Sequence, residues 1–97
     1  MKIHPQTARA IGIADGEWVK VETPRGKGAC RLKVSVTDAT APGIVVTGMG
    51  WWLPESPGPE FGALDVNINA ALSYAGPYDP ASGSADTRGV PCRILRA

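Results

Sequence analysis

The 97-residue chain has one histidine and two cysteines, and each scarcity removes a class of chemistry. His4 has no cluster of Cys, Asp or Glu near it in sequence, so no zinc-type ligand set can be drawn. Nor does it have a serine or cysteine partner at a catalytic spacing, which argues against a small stand-alone hydrolytic enzyme. Cys30 and Cys92 fit no metal spacing. Two free, buried thiols are expected, in preference to a disulfide. No apolar run approaches the ~18 residues of a membrane span. No secretory signal precedes Met1-Lys2-Ile3-His4, and this abrupt start favours a domain excised from a longer chain over a separate small subunit. Charge of one sign is lacking as well, since 10 Lys and Arg stand against 9 Asp and Glu. The basic residues are scattered and make no stripe or patch of the kind duplex nucleic acid requires. A small anion such as a pyrophosphate needs only a few donors and stays open.

In excess are 12 glycines and 9 prolines, which favour turns and short strands over long helices. The length allows a single domain, residues 1–97, burying roughly 60–70% of its unfolded surface.

Pro5 suits the first turn of a helix. The sequence predicts a helix over 5–11, stopped at Gly12, with Ala8 and Ile11 inward. Trp18, Val19, Val21 and Thr23 build a strand. Pro24 to Gly28 reads as a hairpin turn. The return strand alternates, with Cys30, Leu32, Val34 and Val36 inward and Arg31, Lys33 and Ser35 outward, the clearest period of two in the chain. Ile44 to Thr47 is a short continuous apolar run, expected as a central strand. Gly48-Met49-Gly50 lets the backbone approach something closely. Trp51 and Trp52 are adjacent, so in extended chain they face opposite sides. One is expected in the core and the other at a surface, pocket or interface. Residues 55–60 form a loop. Asn67 to Leu72 suits a short helix with an asparagine as its N-cap. Residues 74–89 are mainly loop, and Val90 to Leu95 closes the domain as a strand, with Val90, Cys92 and Ile94 on one face. Strand-like segments joined by turns point to a small barrel or sandwich.

The remaining polar equipment lies between Gly62 and Arg93. Asn67 and Asn69 bracket Ile68, and each carboxamide offers one acceptor and two donors, suited to the edge of a heterocycle. Tyr78 to Ser84 and Thr87-Arg88-Gly89 follow, a long irregular polar stretch of the kind that carries function.

The pattern Ile3-His4-Pro5-x-x-Ala8-x-x-Ile11-Gly12-Ile13-x-x-Gly16-x-x-Val19-x-Val21 resembles the opening of the molybdopterin dinucleotide-binding domain. That domain is the carboxy-terminal module of the dimethyl sulfoxide reductase family of molybdenum and tungsten oxidoreductases. The likeness runs on through Gly50-Trp51-Trp52, Val66-Asn67-Ile68-Asn69, Asp79-Pro80-x-Ser82-Gly83 and Arg88 to Ile94. The first half also looks like other double-psi β-barrels; the asparagine pair followed by Asp-Pro-x-Ser-Gly is more selective. The family writes Asn-x-Asn-x-Leu-Thr, whereas Asn69-Ala70-Ala71-Leu72-Ser73 carries one extra residue and a serine.

The resemblance implies an all-β double-psi β-barrel of about six strands with one or two short helices. It implies a lid over one face of a bis(molybdopterin guanine dinucleotide) cofactor carrying Mo or W. The preceding domains of the same oxidoreductase, or a large catalytic subunit, would hold the rest, and the isolated chain would be inactive. Asn67 and Asn69 then become cofactor contacts, against the simpler role of a helix cap. One of Trp51 and Trp52 would stack on or wall off the cofactor. Arg88 would clamp a pyrophosphate or pterin oxygen, against a solvated loop charge. Ser82 could offer its amide to phosphate, although a tight turn at Ser82-Gly83 is favoured. Asp65 and Asp79 read as structural. The competing reading is a double-psi barrel that binds protein or nucleic acid, which the scattered basic residues and the decorated tail after Gly48 disfavour.

Overall fold

A computed structural model of the chain describes residues 1–24, 28–72, 80–82 and 89–97. His4, extended because Pro5 follows it, caps α1 (Pro5–Ile11) by accepting the Gln6 amide on its side chain. Gly12 ends the helix at φ 69°, a left-handed conformation that costs glycine nothing, and its amide returns to the Ala8 and Arg9 carbonyls. Ala8 is buried as expected, but Ile11, the last residue of the helix, is 42% exposed, and the chain returns to the core two residues later at Ile13.

Strand β1 (Lys2–Ile3) precedes α1, and β2 (Trp18–Glu22) and β3 (Ala29–Lys33) form the antiparallel hairpin. Val19 faces Leu32 and Val21 faces Cys30, so the inward set on both strands is apolar. The expected return strand does not run unbroken to Val36. At Val34 the chain leaves this sheet; Val34 exchanges hydrogen bonds with Gly16 and Glu17, both 2.9 Å. It then enters a second sheet as β4 (Ser35–Val36), parallel to β1. One alternating run thus serves two sheets, and its inward side chains stay on the same core.

The second sheet is completed by β5 (Val45–Val46), antiparallel to β1, in the order β4-β1-β5. The apolar run at Ile44 is therefore an edge strand and not a central one, and Ile44 and Val46 are 55% and 49% exposed. The closing strand β6 (Arg93–Arg96) pairs antiparallel with β2, giving the order β3-β2-β6. It starts later than expected. Val90 and Cys92 lie before it, and Cys92 is a free but exposed thiol, whereas Cys30 is free and buried.

Among the described residues there are six strands in two three-stranded sheets, with short helices at α1, α2 (Ala63–Val66) and a 3-10 turn at Ile68–Ala71. The class is all-β, and the two hydrogen-bonded sheets do not close on each other. Ile3, Val19, Val21, Cys30, Leu32 and Val34 from the strands meet Ala8, Ile13, Ile68 and Ala71 in one core. Burying a side chain such as Ile3 or Val19, each fully enclosed, is worth about 1.5–3 kcal/mol.

Candidate functional site

The asparagine segment is held from below by the core and from the side by the hairpin. Ile68 and Ala71 point into the core and anchor the 3-10 turn. Asn67 is its N-cap, and its side-chain oxygen accepts the Asn69 amide at 3.0 Å. The Ala70 amide donates to the Asn67 carbonyl at 3.0 Å and the Leu72 amide to the Asn69 carbonyl at 3.3 Å. The Asn69 carboxamide, in contrast, has no hydrogen-bond partner among the described residues. The pair therefore differs: Asn67 builds the turn, and the Asn69 donors and acceptor are unpaired among the described residues.

Two contacts fix this turn against the β2–β3 hairpin. The Thr23 hydroxyl donates to the Ala71 carbonyl. At Gly28 the backbones approach so closely that a Cβ would lie 2.8 Å from the Ala70 carbonyl oxygen. Both partners lie more than forty residues downstream, so nothing local in the sequence marks Thr23 or Gly28 as part of the site. A third tie joins α2 to β3, where Arg31 grips one Asp65 oxygen with Nε at 2.7 Å and a terminal nitrogen at 2.6 Å. Asp65 in turn raises the Arg31 pKa, chiefly through this hydrogen bond. The structural reading of Asp65 fits this contact.

The tryptophans occupy a different place. Trp51 and Trp52 are 57% and 59% exposed, so neither is in the core, contrary to expectation. The physical reason lies on either side of the pair. Trp51 folds back over Gly48, where a Cβ would come 3.0 Å from its indole nitrogen. The following loop closes on itself through the Leu53 amide and the Phe61 carbonyl, 2.7 Å apart. The close approach expected at Gly48 is thus to the chain's own indole. Together with Trp18, Arg31, Leu53 and Val66, the pair lines a shallow apolar cleft of about 260 Å³. The Arg31 guanidinium sits 5.4 Å from the Trp18 ring centre, a cation–π distance.

Val66 lines the cleft and directly precedes Asn67, but neither asparagine lines it. The sequence-predicted residues therefore fall into two groups on adjoining elements and not into one pocket. Ser82 is exposed in a turn at 80–82. Arg88, Asp79 and residues 25–27 of the hairpin turn expected over Pro24–Gly28 lie outside the described residues.

Among the described residues no three His, Cys, Asp or Glu side chains gather as a metal site, and no helix is long and apolar enough to cross a membrane. Among the described residues four basic side chains are tied to carboxylates: Lys20 and Arg93 to Glu22 at 3.1 and 2.6 Å, Arg31 to Asp65, and Arg96 to Glu17 at 3.5 Å. The Arg93 and Lys20 contacts hold the Glu22 carboxyl below the ordinary glutamate range.

The family model of the molydopterin dinucleotide binding domain matches residues 1–91. Acetylene hydratase of Syntrophotalea acetylenica is 38% identical over 92 residues, 90% of this chain and 12% of that protein. Biotin sulfoxide reductase of Cereibacter sphaeroides is 42% identical over 76 residues, 70% of this chain and 10% of that protein. The solved structure of acetylene hydratase from Pelobacter acetylenicus superposes with a TM-score of 0.88 at 29% identity, covering 99% of this chain and 14% of that one. The chain belongs to the molydopterin dinucleotide binding domain family, and the resemblance seen in the sequence to the dimethyl sulfoxide reductase family is borne out. It spans about an eighth or less of the length of these curated relatives.

Proposed function

We propose that this domain binds one face of a molybdopterin guanine dinucleotide, carrying Mo or W, as a lid within a larger oxidoreductase. Asn69 makes the contact and Asn67 holds it in place. The observation that carries this reading is the carboxamide of Asn69, unpaired among the described residues on a turn capped by the Asn67 side chain, in a chain that matches the family. One acceptor and two donors on a braced backbone fit the edge of a pterin or the oxygens of a pyrophosphate. Ser82 and Arg88 extend the contact. When bound, the cofactor supplies the redox chemistry through its metal and dithiolene sulfurs. This chain's residues orient it and exclude water.

The fold supports the same reading. A strand run that crosses between two sheets at Val34, with a parallel β1–β4 pair beside antiparallel ones, is compatible with the double-psi barrel that the resemblance implies, although the two sheets do not close on each other. A nucleic-acid role has little to draw on, because four of the basic side chains already face carboxylates.

The test is a backbone and side-chain amide NMR titration of the chain with guanosine diphosphate, then with released cofactor. Shifts centred on Asn67–Asn69 and reaching Ser82 and Arg88 are expected. Shifts confined to the exposed side of β3, at Arg31 and Lys33, would overturn the reading.

A further inference from the structure

We infer that Thr23 and Gly28, at the end of the β2–β3 hairpin where the chain connects the two strands, are positioning residues for the Asn69 carboxamide. The inference rests on the binding role of Asn69 proposed above. The 3-10 turn is only four residues long, Ile68–Ala71, too short to hold its own geometry through internal hydrogen bonds. Its cap fixes one end, since the Asn67 side chain holds the Asn69 amide. Its other end is fixed from outside. The Thr23 hydroxyl donates to the carbonyl of Ala71, the last residue of the turn. One residue earlier, the Ala70 carbonyl packs against the bare Cα of Gly28, where a Cβ would approach to 2.8 Å. These two contacts fall on consecutive peptide units, and because each unit is planar, turning either one about the Ala71 Cα disturbs its contact with the hairpin. Asn69 lies directly before that clamp and after the cap, so its side chain leaves the backbone from a segment fixed on both sides.

The clamp also explains the choice of residues at the hairpin end. At Gly28 any side chain meets a backbone oxygen, which cannot swing away as a flexible side chain could. At position 23 a hydroxyl is needed, because a residue of the same shape without one leaves the Ala71 carbonyl without this donor.

The test compares Thr23→Val, Thr23→Ser and Gly28→Ala in the full chain, alone and combined with Asn69→Ala. Affinity for guanosine diphosphate is read by NMR titration, and the Asn69 side-chain resonances and the exchange rates of the Ala70 and Leu72 amides are read without ligand. Thr23→Val is expected to weaken binding about 3–10-fold, the effect of one hydrogen bond. It should also move the Asn69 carboxamide resonances and speed exchange at Ala70 and Leu72, while Thr23→Ser restores all three. Gly28→Ala should act in the same direction. In the Asn69→Ala background, Thr23→Val should have no further effect on affinity, because the group it positions is gone. If Asn69→Ala weakens binding but Thr23→Val costs the same with and without Asn69, the positioning role is overturned and the binding role stands. If Asn69→Ala leaves affinity unchanged, or the unsubstituted chain shows no response to the ligand, the binding role fails and this inference fails with it. Should Gly28→Ala not fold, the Thr23 pair decides alone.

Discussion

Replacing Asn67 by alanine removes the acceptor that holds the Asn69 amide at 3.0 Å, and loss of such a cap costs about 1 kcal/mol. Replacing Asn69 by alanine removes a carboxamide bonded to nothing among the described residues, so stability should change by less than about 0.5 kcal/mol. Urea denaturation of the two variants checks this contrast; equal losses would show that Asn69 also braces the turn. Glu22 gives a pH prediction. Arg93 and Lys20 lower its pKa in the folded chain, so the folded state binds the proton less readily than the unfolded one. The stabilisation is fully present above the unfolded pKa, about 4.3, and is lost as pH falls through the lower folded value. Glu22→Gln should therefore flatten the acid limb of the stability–pH curve below about pH 4 and leave its slope near neutrality unchanged. Unfolding midpoints across that range are the measurement.

At the scale of elements, the short segments depend on what flanks them. Helix α1 has seven residues, too few to be stable alone, and is held by His4 at one end and Gly12 at the other. The Gly12 carbonyl also accepts a hydrogen bond from Arg96 at 2.8 Å, tying the helix end to β6. At φ 69° an alanine is strained, so Gly12→Ala should cost roughly 1–2 kcal/mol and lower the melting temperature. An unchanged melting temperature would mean that the helix end can relax. The β2–β3 hairpin was legible because both strands alternate, and alternation is a local property. The break at Val34 was not legible. The same period of two continues across it, and only the partners change, from β2 to β1.

At the scale of the whole molecule, large apolar side chains stay outside. Trp51, Trp52, Met49 and Leu64 are all more than half exposed, while the core draws on small aliphatic residues. The free chain should therefore show tryptophan emission typical of exposed indole, and iodide should quench most of it. Emission that resists iodide would mean that the cleft around Trp18, Trp51 and Trp52 closes in solution. The misplacement of these residues has a plain cause. The rule that adjacent tryptophans split between core and surface assumes extended chain crossing a sheet, and here the pair lies between strands, in a segment folded back on Gly48 and closed at Leu53 and Phe61.

By itself the sequence determined the all-β class, helix α1 with its glycine stop, the inward faces of β2 and β3, the asparagine cap, and membership of the molydopterin dinucleotide binding domain family. These rest on local spacing, on backbone preference, or on motifs that stand in order along the chain. The tertiary structure alone decided that β5 is an edge, that the strand run divides between two sheets, that the tryptophans and the asparagines lie apart, and that Thr23 and Gly28 clamp the turn. Each of those depends on contacts between residues far apart in sequence, and neither periodicity nor propensity carries information about which distant carbonyl a hydroxyl will reach.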